Sequence, residues 1–152
     1  VLARLGAPGA EAVLIPALEI PSHRELVRQA ALEGLADVGS LEAFGRAAVL
    51  VRAVHDDDLR RTALSVLERA GSEDPQILDL LFELLGDVDQ EIVGTAIEIL
   101  GRVGKLDASR SVRRLLALAG PGVPAERAQA IQAAVQAIRR PADAAEKAPA
   151  GG

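Results

Sequence analysis

One eight-residue motif recurs along this 152-residue chain and constrains its fold more than any other feature. LADVGSLE at residues 35–42 returns with variations as LERAGSED at 67–74 and LGRVGKLD at 100–107, and a shortened form, LARLGAPG, stands at residues 2–9. The fifth residue of every copy is a glycine, and these glycines are spaced 33, 32 and 33 residues apart: Gly6, Gly39, Gly71 and Gly104. A fixed period of this length is typical of stacked supersecondary units that share one continuous core.

The apolar pattern before each later glycine repeats with the same period. Each set of five apolar or small residues follows the spacing 4, 3, 1 and 3, which places all five on one side of an α-helix. The three sets are Val27, Ala31, Gly34, Leu35 and Val38; Leu59, Ala63, Val66, Leu67 and Ala70; and Ile92, Ala96, Ile99, Leu100 and Val103. One further residue in each set, Leu32, Leu64 or Ile97, widens the apolar side. The spacing therefore predicts three helices that are buried over much of their circumference.

Start and stop signals divide each repeat into two helices. We expect the glycine of each motif to end its helix in the left-handed conformation, because glycine has no Cβ to clash there. A second, more apolar set of helices is predicted at about residues 10–19, 41–54, 75–86 and 108–119, with Ser40 and Asp74 as N-caps. Ser22 and Glu25 have the spacing of a capping box for the helix that carries Val27. Each repeat is thus predicted to be a helical hairpin.

The two ends of the chain depart from this pattern. The fourth repeat has a longer hairpin loop and a last helix, about residues 125–139, that aligns with the other repeats in two registers; such degeneracy is typical of a terminal capping repeat. Residues 141–152 are of low complexity, and we expect a disordered tail or linker. The predicted domain covers residues 1–140, with residues 1–6 as the end of a preceding repeat and repeats at about 7–40, 41–72, 73–105 and 106–140.

Composition limits the chemistry that the chain can perform. It contains no Cys, Tyr or Trp and only two aromatic residues, Phe44 and Phe82, so the core must consist of Leu, Val, Ile and Ala, which favours helices. No apolar run approaches the roughly 18 residues that span a bilayer. The net charge of −5 is uneven, with −6 over residues 73–105 and +4 over residues 106–140. An acidic body argues against a nucleic-acid partner, and the uneven charge is compatible with a two-signed binding surface.

Residues 27–39, VRQAALEGLADVG, resemble the second helix of bacterial HEAT-like repeats of the phycobilin-lyase type, whose usual form is V-R-x-x-A-x-x-A-L-x-x-L-G. The resemblance covers residues 1–104 well and 105–140 loosely. It implies an all-α, right-handed α-solenoid of about four stacked antiparallel helix hairpins. It also implies a hydrogen-bonded ladder between repeats, for which the matching residues are Arg28, Arg60, Asp56, Asp87 and Asp89. Because Val93 replaces the arginine in the third repeat and Ser22 stands in the first loop, we expect a partial ladder.

Three types of enzyme found among HEAT-like proteins lack their signature in this chain. The deoxyhypusine hydroxylases hold two irons with repeated His-Glu pairs, whereas His23 is followed by Arg24 and His55 by Asp56. The HEAT-like DNA glycosylases need a basic, aromatic-lined groove, and a chromophore lyase would need Cys, Tyr or Trp to guide a tetrapyrrole. We therefore predict no enzymatic activity, no cofactor, no metal site and no small-molecule substrate.

The acidic run Asp56, Asp57 and Asp58 allows two interpretations. It would suit a divalent cation, or it would place carboxylates at a helix N-terminus, where they accept hydrogen bonds from unpaired N–H groups and favour the positive end of the helix dipole. The matching loop in the next repeat, with Asp87 and Asp89, is acidic at the same place. We favour capping for this reason.

The resemblance also implies a function, since the second helices of HEAT arrays line a concave surface that binds proteins or peptides. Periodicity assigns the outward positions to Glu25, Gln29 and Glu33; Asp57, Arg61, Ser65 and Glu68; and Gln90, Gly94, Glu98 and Gly101. As partner-binding residues we select Glu25, Gln29, Asp57, Arg61 and Gln90. Arg61 is the strongest candidate, because the resemblance gives Arg60 a structural role. Without a Tyr or Trp anchor, we expect modest affinity.

We therefore predict a non-enzymatic scaffold for a protein or peptide partner, with no nucleic-acid or membrane partner. Two alternatives stay open at this point. The chain would also suit a regulatory or accessory module of a larger multidomain enzyme, or a lyase-type protein that handles a chromophore. The expected location is the cytoplasm.

Overall fold

The computed structural model describes residues 9–53 and 56–141, which are helical and contain no β-strand. Two short 3-10 helices, His23–Glu25 and Gly104–Asp107, precede the second and seventh α-helices. The α-helices are α1 (Ala10–Ala17), α2 (Leu26–Asp37), α3 (Glu42–Ala53), α4 (Asp57–Gly71), α5 (Gln76–Leu84), α6 (Gln90–Val103), α7 (Ala108–Leu118) and α8 (Ala125–Arg139). Every predicted helix is present. The predictions for residues 1–6, Gly6, His55 and the tail beyond residue 141 lie outside the described residues.

The chain divides into two compact units, Val1–Leu80 and Leu81–Gly152. In the N-terminal unit, α1 packs against α2 and α3 against α4, and α2 also packs against α4. Helices α2 and α4 are the second helices of consecutive hairpins. Each hairpin therefore covers part of the next one, as expected for repeats that have no core of their own.

The C-terminal unit uses the same arrangement. Helices α7 and α8 pack as a hairpin, and α8 lies against α6, the second helix of the preceding repeat. The 3-10 helix Gly104–Asp107 contacts α6, α7 and α8 and so occupies the junction of the three.

The predicted apolar sides form the core. Of the fifteen residues in the three repeating sets, twelve are buried, and the widening residues Leu32, Leu64 and Ile97 have no exposed surface. The prediction was wrong at Val27 and Ala70, which are exposed. Both lie in a terminal turn of their helix, where fewer neighbours cover a side chain.

The register of the last helix, which the sequence left ambiguous, follows from its buried residues. Helix α8 buries Ile131, Ala134, Val135 and Ile138. Their spacing of 3, 1 and 3 matches that of Ala96, Ile99, Leu100 and Val103 in α6, 35 residues earlier. The longer hairpin loop therefore accounts for the shift from the period of 32 or 33 residues.

The glycines of the recurring motif do not share one role. Gly39 has φ 68°, the left-handed conformation predicted for it. The prediction was wrong at Gly71, which is the last residue of α4, and at Gly104, which has φ −62°. A Cβ on Gly71 would overlap the ring of Phe44, and a Cβ on Gly104 would lie 2.6 Å from Ile138 Cδ1. Close packing, rather than a left-handed turn, requires glycine at these two positions.

Glycines inside α6 differ in the same way. A Cβ on Gly101 would lie 3.2 Å from Ala134 Cα, so glycine there allows a close approach of α6 and α8, whereas a Cβ on Gly94 would contact nothing within 4 Å. The missing side chain of Gly94 leaves open space instead.

Gly94→Ala and Gly104→Ala should therefore change stability in opposite directions. Gly94→Ala should raise the free energy of unfolding by about 0.5–1 kcal/mol, because alanine loses less backbone entropy in a helix. Gly104→Ala should lower it by about 1–2 kcal/mol, because the added methyl meets a packed side chain. Urea unfolding followed by far-UV circular dichroism measures both changes. Equal shifts in the two variants would contradict the packing assigned to Gly104.

Side-chain caps define most of the helix starts. The Ser40 hydroxyl accepts a hydrogen bond from Glu42 N at 3.1 Å, and an Asp74 carboxylate oxygen accepts one from Gln76 N at 2.9 Å. Asp56 Oδ1 accepts one from Leu59 N at 2.9 Å, and Asp89 Oδ1 caps α6 in the same manner. The capping interpretation of the acidic run is confirmed for Asp56.

The predicted capping box at the start of α2 was wrong. Ser22 Oγ accepts a hydrogen bond from Val27 N at 3.0 Å, while Glu25 N donates to the Ser22 carbonyl instead. Arg24 and Glu25 have φ 51° and 54°, a conformation that non-glycine residues rarely adopt. This left-handed pair adds a 3-10 turn between the cap and the helix, so the hydroxyl reaches an N–H group two residues farther along the chain.

Candidate interaction site on the second helices

A groove between α6 and α8 contains three of the predicted outward positions. It has a volume of about 420 Å³ and is lined by Gln90, Glu91, Gly94, Glu98, Pro124, Glu126, Arg127 and Ala130. The small residues of the lining are Gly94 on α6 and Ala130 on α8, which leave room for a side chain from outside. With three glutamates and one arginine, the lining is negatively charged.

Arg127 joins the two helices at one end of this groove. Its Nη1 donates to Gln90 Oε1 at 2.9 Å and its Nη2 donates to the Gln90 carbonyl at 2.8 Å. The same two residues also line a neighbouring cavity of about 400 Å³ at the loop end of these helices. Gln90 is thus exposed and also forms half of a contact between repeats. Sequence reasoning missed Arg127 because the register of α8 was ambiguous.

In the N-terminal unit, two of the selected residues are engaged in contacts close to the α2 start. Glu25 Oε2 lies 3.3 Å from Arg28 Nη1 in a half-buried ion pair. Gln29 Nε2 donates to the Arg24 carbonyl at 2.8 Å, and Gln29 Oε1 accepts from Thr62 Oγ1 at 3.4 Å. Gln29 therefore links α2 to α4 in addition to lying on the predicted face.

The other two selected residues of this unit lie in the first turns of α4. Asp57 is exposed. Arg61 Nη2 lies 2.7 Å from Asp58 Oδ1, and the two side chains are 45% and 56% exposed. An exposed pair of this kind contributes about 0.2–1 kcal/mol, so a partner carboxylate must compete with Asp58 for Arg61. The remaining selected residue, Gln90, lies in the C-terminal unit.

A second contact between α2 and α4 was missed from the sequence. Arg69 Nη2 lies 3.0 Å from Asp37 Oδ1 and donates to the Glu33 carbonyl at 3.3 Å. Asp37 and Arg69 are 32 residues apart, so each occupies the same position of its repeat. The pair could have been predicted from the sequence, because residues of opposite charge stand at the same position of two consecutive repeats.

The arginines of the expected ladder have different roles. Arg60 is buried, with 8% of its surface exposed, and its Nε donates to the Val51 carbonyl at 3.0 Å. This bond joins α4 to the end of α3 within one hairpin, whereas the resemblance implied a ladder between repeats. Arg28 of α2 pairs instead with Glu25, the last residue of the 3-10 helix that precedes it.

Among residues 9–53 and 56–141, no three His, Cys, Asp or Glu side chains are grouped so that they could hold a metal ion. None of the described helices combines the length and the apolar character needed to cross a membrane.

Comparison with known proteins agrees with this architecture. A family profile described as HEAT repeats matches residues 47–136, more than half of the chain, and the match extends from α3 into α8. No curated protein and no solved structure matches the chain. The bacterial, phycobilin-lyase type of repeat stays a prediction, as does the handedness of the array. Helical hairpins, a periodic buried side and the profile match together show that this chain belongs to the HEAT repeat family.

Proposed function

We propose that the chain is a non-enzymatic scaffold that binds a protein or peptide on the concave face formed by the second helices of its repeats. HEAT repeats generally serve as scaffolds for protein interaction, which supports this proposal. The observation that carries it is the groove between α6 and α8, because predicted face positions line an opening of about 420 Å³. We include in the proposal the four-repeat organisation and a location in the cytoplasm.

The charge of the groove favours a partner that offers Lys or Arg. Glu98 and Glu126 are exposed, and both line the groove together with the small residues Gly94 and Ala130. The guanidinium of Arg127 is held by Gln90, so two of its N–H groups are already engaged. An extended segment with a basic side chain would place that side chain between carboxylates, where charge complementarity contributes to specificity and to the rate of association.

Charge reversal at Glu98 should weaken binding to the partner. Affinity purification with the tagged chain, followed by mass spectrometry, identifies candidates, and titration calorimetry with the purified candidate gives the dissociation constant. Glu98→Lys should raise that constant at least about tenfold, because it places like charges together in the groove. Glu73→Lys, which changes an exposed acid outside the groove lining, is the matched control.

Two experimental results would contradict the proposed binding residues. If Glu98→Lys and Glu73→Lys bind alike, the α6–α8 groove is not the binding surface. In the N-terminal unit, Arg61→Ala tests the strongest residue predicted from the sequence. If Arg61→Ala has no effect while changes at Glu25 or Asp57 weaken binding, the acidic positions are the recognition element.

A further inference from the structure

A cluster of arginines on α7 lies apart from the second-helix groove. Arg110, Arg113 and Arg114 are exposed, and α7 contains no acidic residue between Ala108 and Leu118. The guanidinium carbons of Arg110 and Arg114 lie 4.9 Å and 5.7 Å from the centroid of the Phe82 ring. We call Arg110, Arg113, Arg114 and Phe82 the α7 basic patch; all four belong to the C-terminal unit.

The Phe82 ring lies against the guanidinium groups of two of these arginines, Arg110 and Arg114. Both distances are within the roughly 6 Å over which a cation is attracted to an aromatic face. A stacked guanidinium uses its flat face and keeps its N–H groups in the plane, where they suit the two oxygens of a carboxylate. Less side-chain freedom is then lost when an anion binds.

The position of these charges is unfavourable for the helix alone. Arg110 and Arg114 are four residues apart on α7, and like charges at this spacing destabilise a helix. The whole chain has a net charge of −5, yet residues 106–140 carry +4. An anionic partner would be attracted to this part of the chain.

We infer that the α7 basic patch docks an acidic peptide segment of a protein partner, with carboxylates accepting hydrogen bonds from Arg113 and Arg114. Charge complementarity argues for Asp- or Glu-rich sequence. A nucleic acid fits less well, because Phe82 is already in contact with two guanidinium groups and cannot also stack on a base, and because a net charge of −5 repels a long polyanion. This second docking surface lies on a first helix and does not depend on the proposed groove.

Fluorescence anisotropy with a labelled peptide of alternating Asp and Gly tests the inference, with an Asn-Gly peptide of equal length as the uncharged comparison. The intact chain should bind the acidic peptide and not the neutral one, and added salt should weaken the binding. R113E/R114E should weaken it at least about tenfold. Phe82→Leu keeps every charge and removes only the ring, and should weaken it about two- to fivefold.

R139E/R140E is the matched control, since it makes the same change in net charge at another exposed arginine pair of the C-terminal unit. Circular dichroism establishes that each variant is folded. The inference is overturned if R139E/R140E weakens binding as much as R113E/R114E, if Phe82→Leu binds as tightly as the wild type, or if oligothymidylate or phosphatidylserine vesicles bind more tightly than the acidic peptide.

Discussion

Leu100→Ala should lower the free energy of unfolding by about 2–5 kcal/mol, one of the largest effects expected for a single substitution in this chain. Leu100 has no exposed surface and belongs to the apolar side of α6, which packs against α8. Truncation removes buried methyl groups and leaves a cavity that helices on both sides cannot easily fill. Urea unfolding followed by circular dichroism measures the loss.

Leu116→Ala provides the control for Leu100→Ala. Leu116 is 48% exposed on α7, so the same truncation should change the free energy of unfolding by about 0.5 kcal/mol or less. Equal losses in the two variants would show that the periodic side of α6 is not the core of the C-terminal unit.

Arg60→Ala should lower the free energy of unfolding by about 2–4 kcal/mol. The change leaves the Val51 carbonyl without the Arg60 bond and removes the buried aliphatic stem of the side chain. Arg60→Lys should restore little of the loss, because a lysine ammonium cannot reproduce the planar Nε–H geometry. Thermal and urea unfolding of the three proteins measure the differences.

Arg69→Ala is the control for Arg60→Ala, because it removes an exposed arginine instead of a buried one. Arg69 is 49% exposed in its pair with Asp37, so its removal should cost at most about 1 kcal/mol. If Arg60→Ala costs no more than Arg69→Ala, the bond to Val51 is not what holds α4 to the end of α3.

Much of the fold could be predicted because helix periodicity depends on local spacing. Residues such as Leu35, Leu67 and Leu100 repeat at one position of each repeat, and all three are fully buried. The distance between helices is not a local property. For this reason the positions of Gly71 and Gly104 near helix ends could be predicted from the sequence. The close packing that requires glycine at these positions could not.

Only the α6 wall of the candidate groove could be predicted from the sequence. Periodicity placed Gln90, Gly94 and Glu98 on the exposed face of α6, and they do line the groove. The opposite wall comes from α8, whose position depends on a longer loop that has no counterpart in the other repeats. Arg127 and Glu126 were therefore missed, although both are charged residues at the start of a predicted helix.

The two hydrogen bonds that Arg127 donates to Gln90 have a consequence for protein engineering. Because this guanidinium connects α8 to α6 and Arg127 also lines the groove, the length of the side chain at position 127 contributes to the shape of the opening. Shorter or longer substitutes at position 127 offer a way to tune which ligands are admitted while leaving the hydrophobic interior untouched.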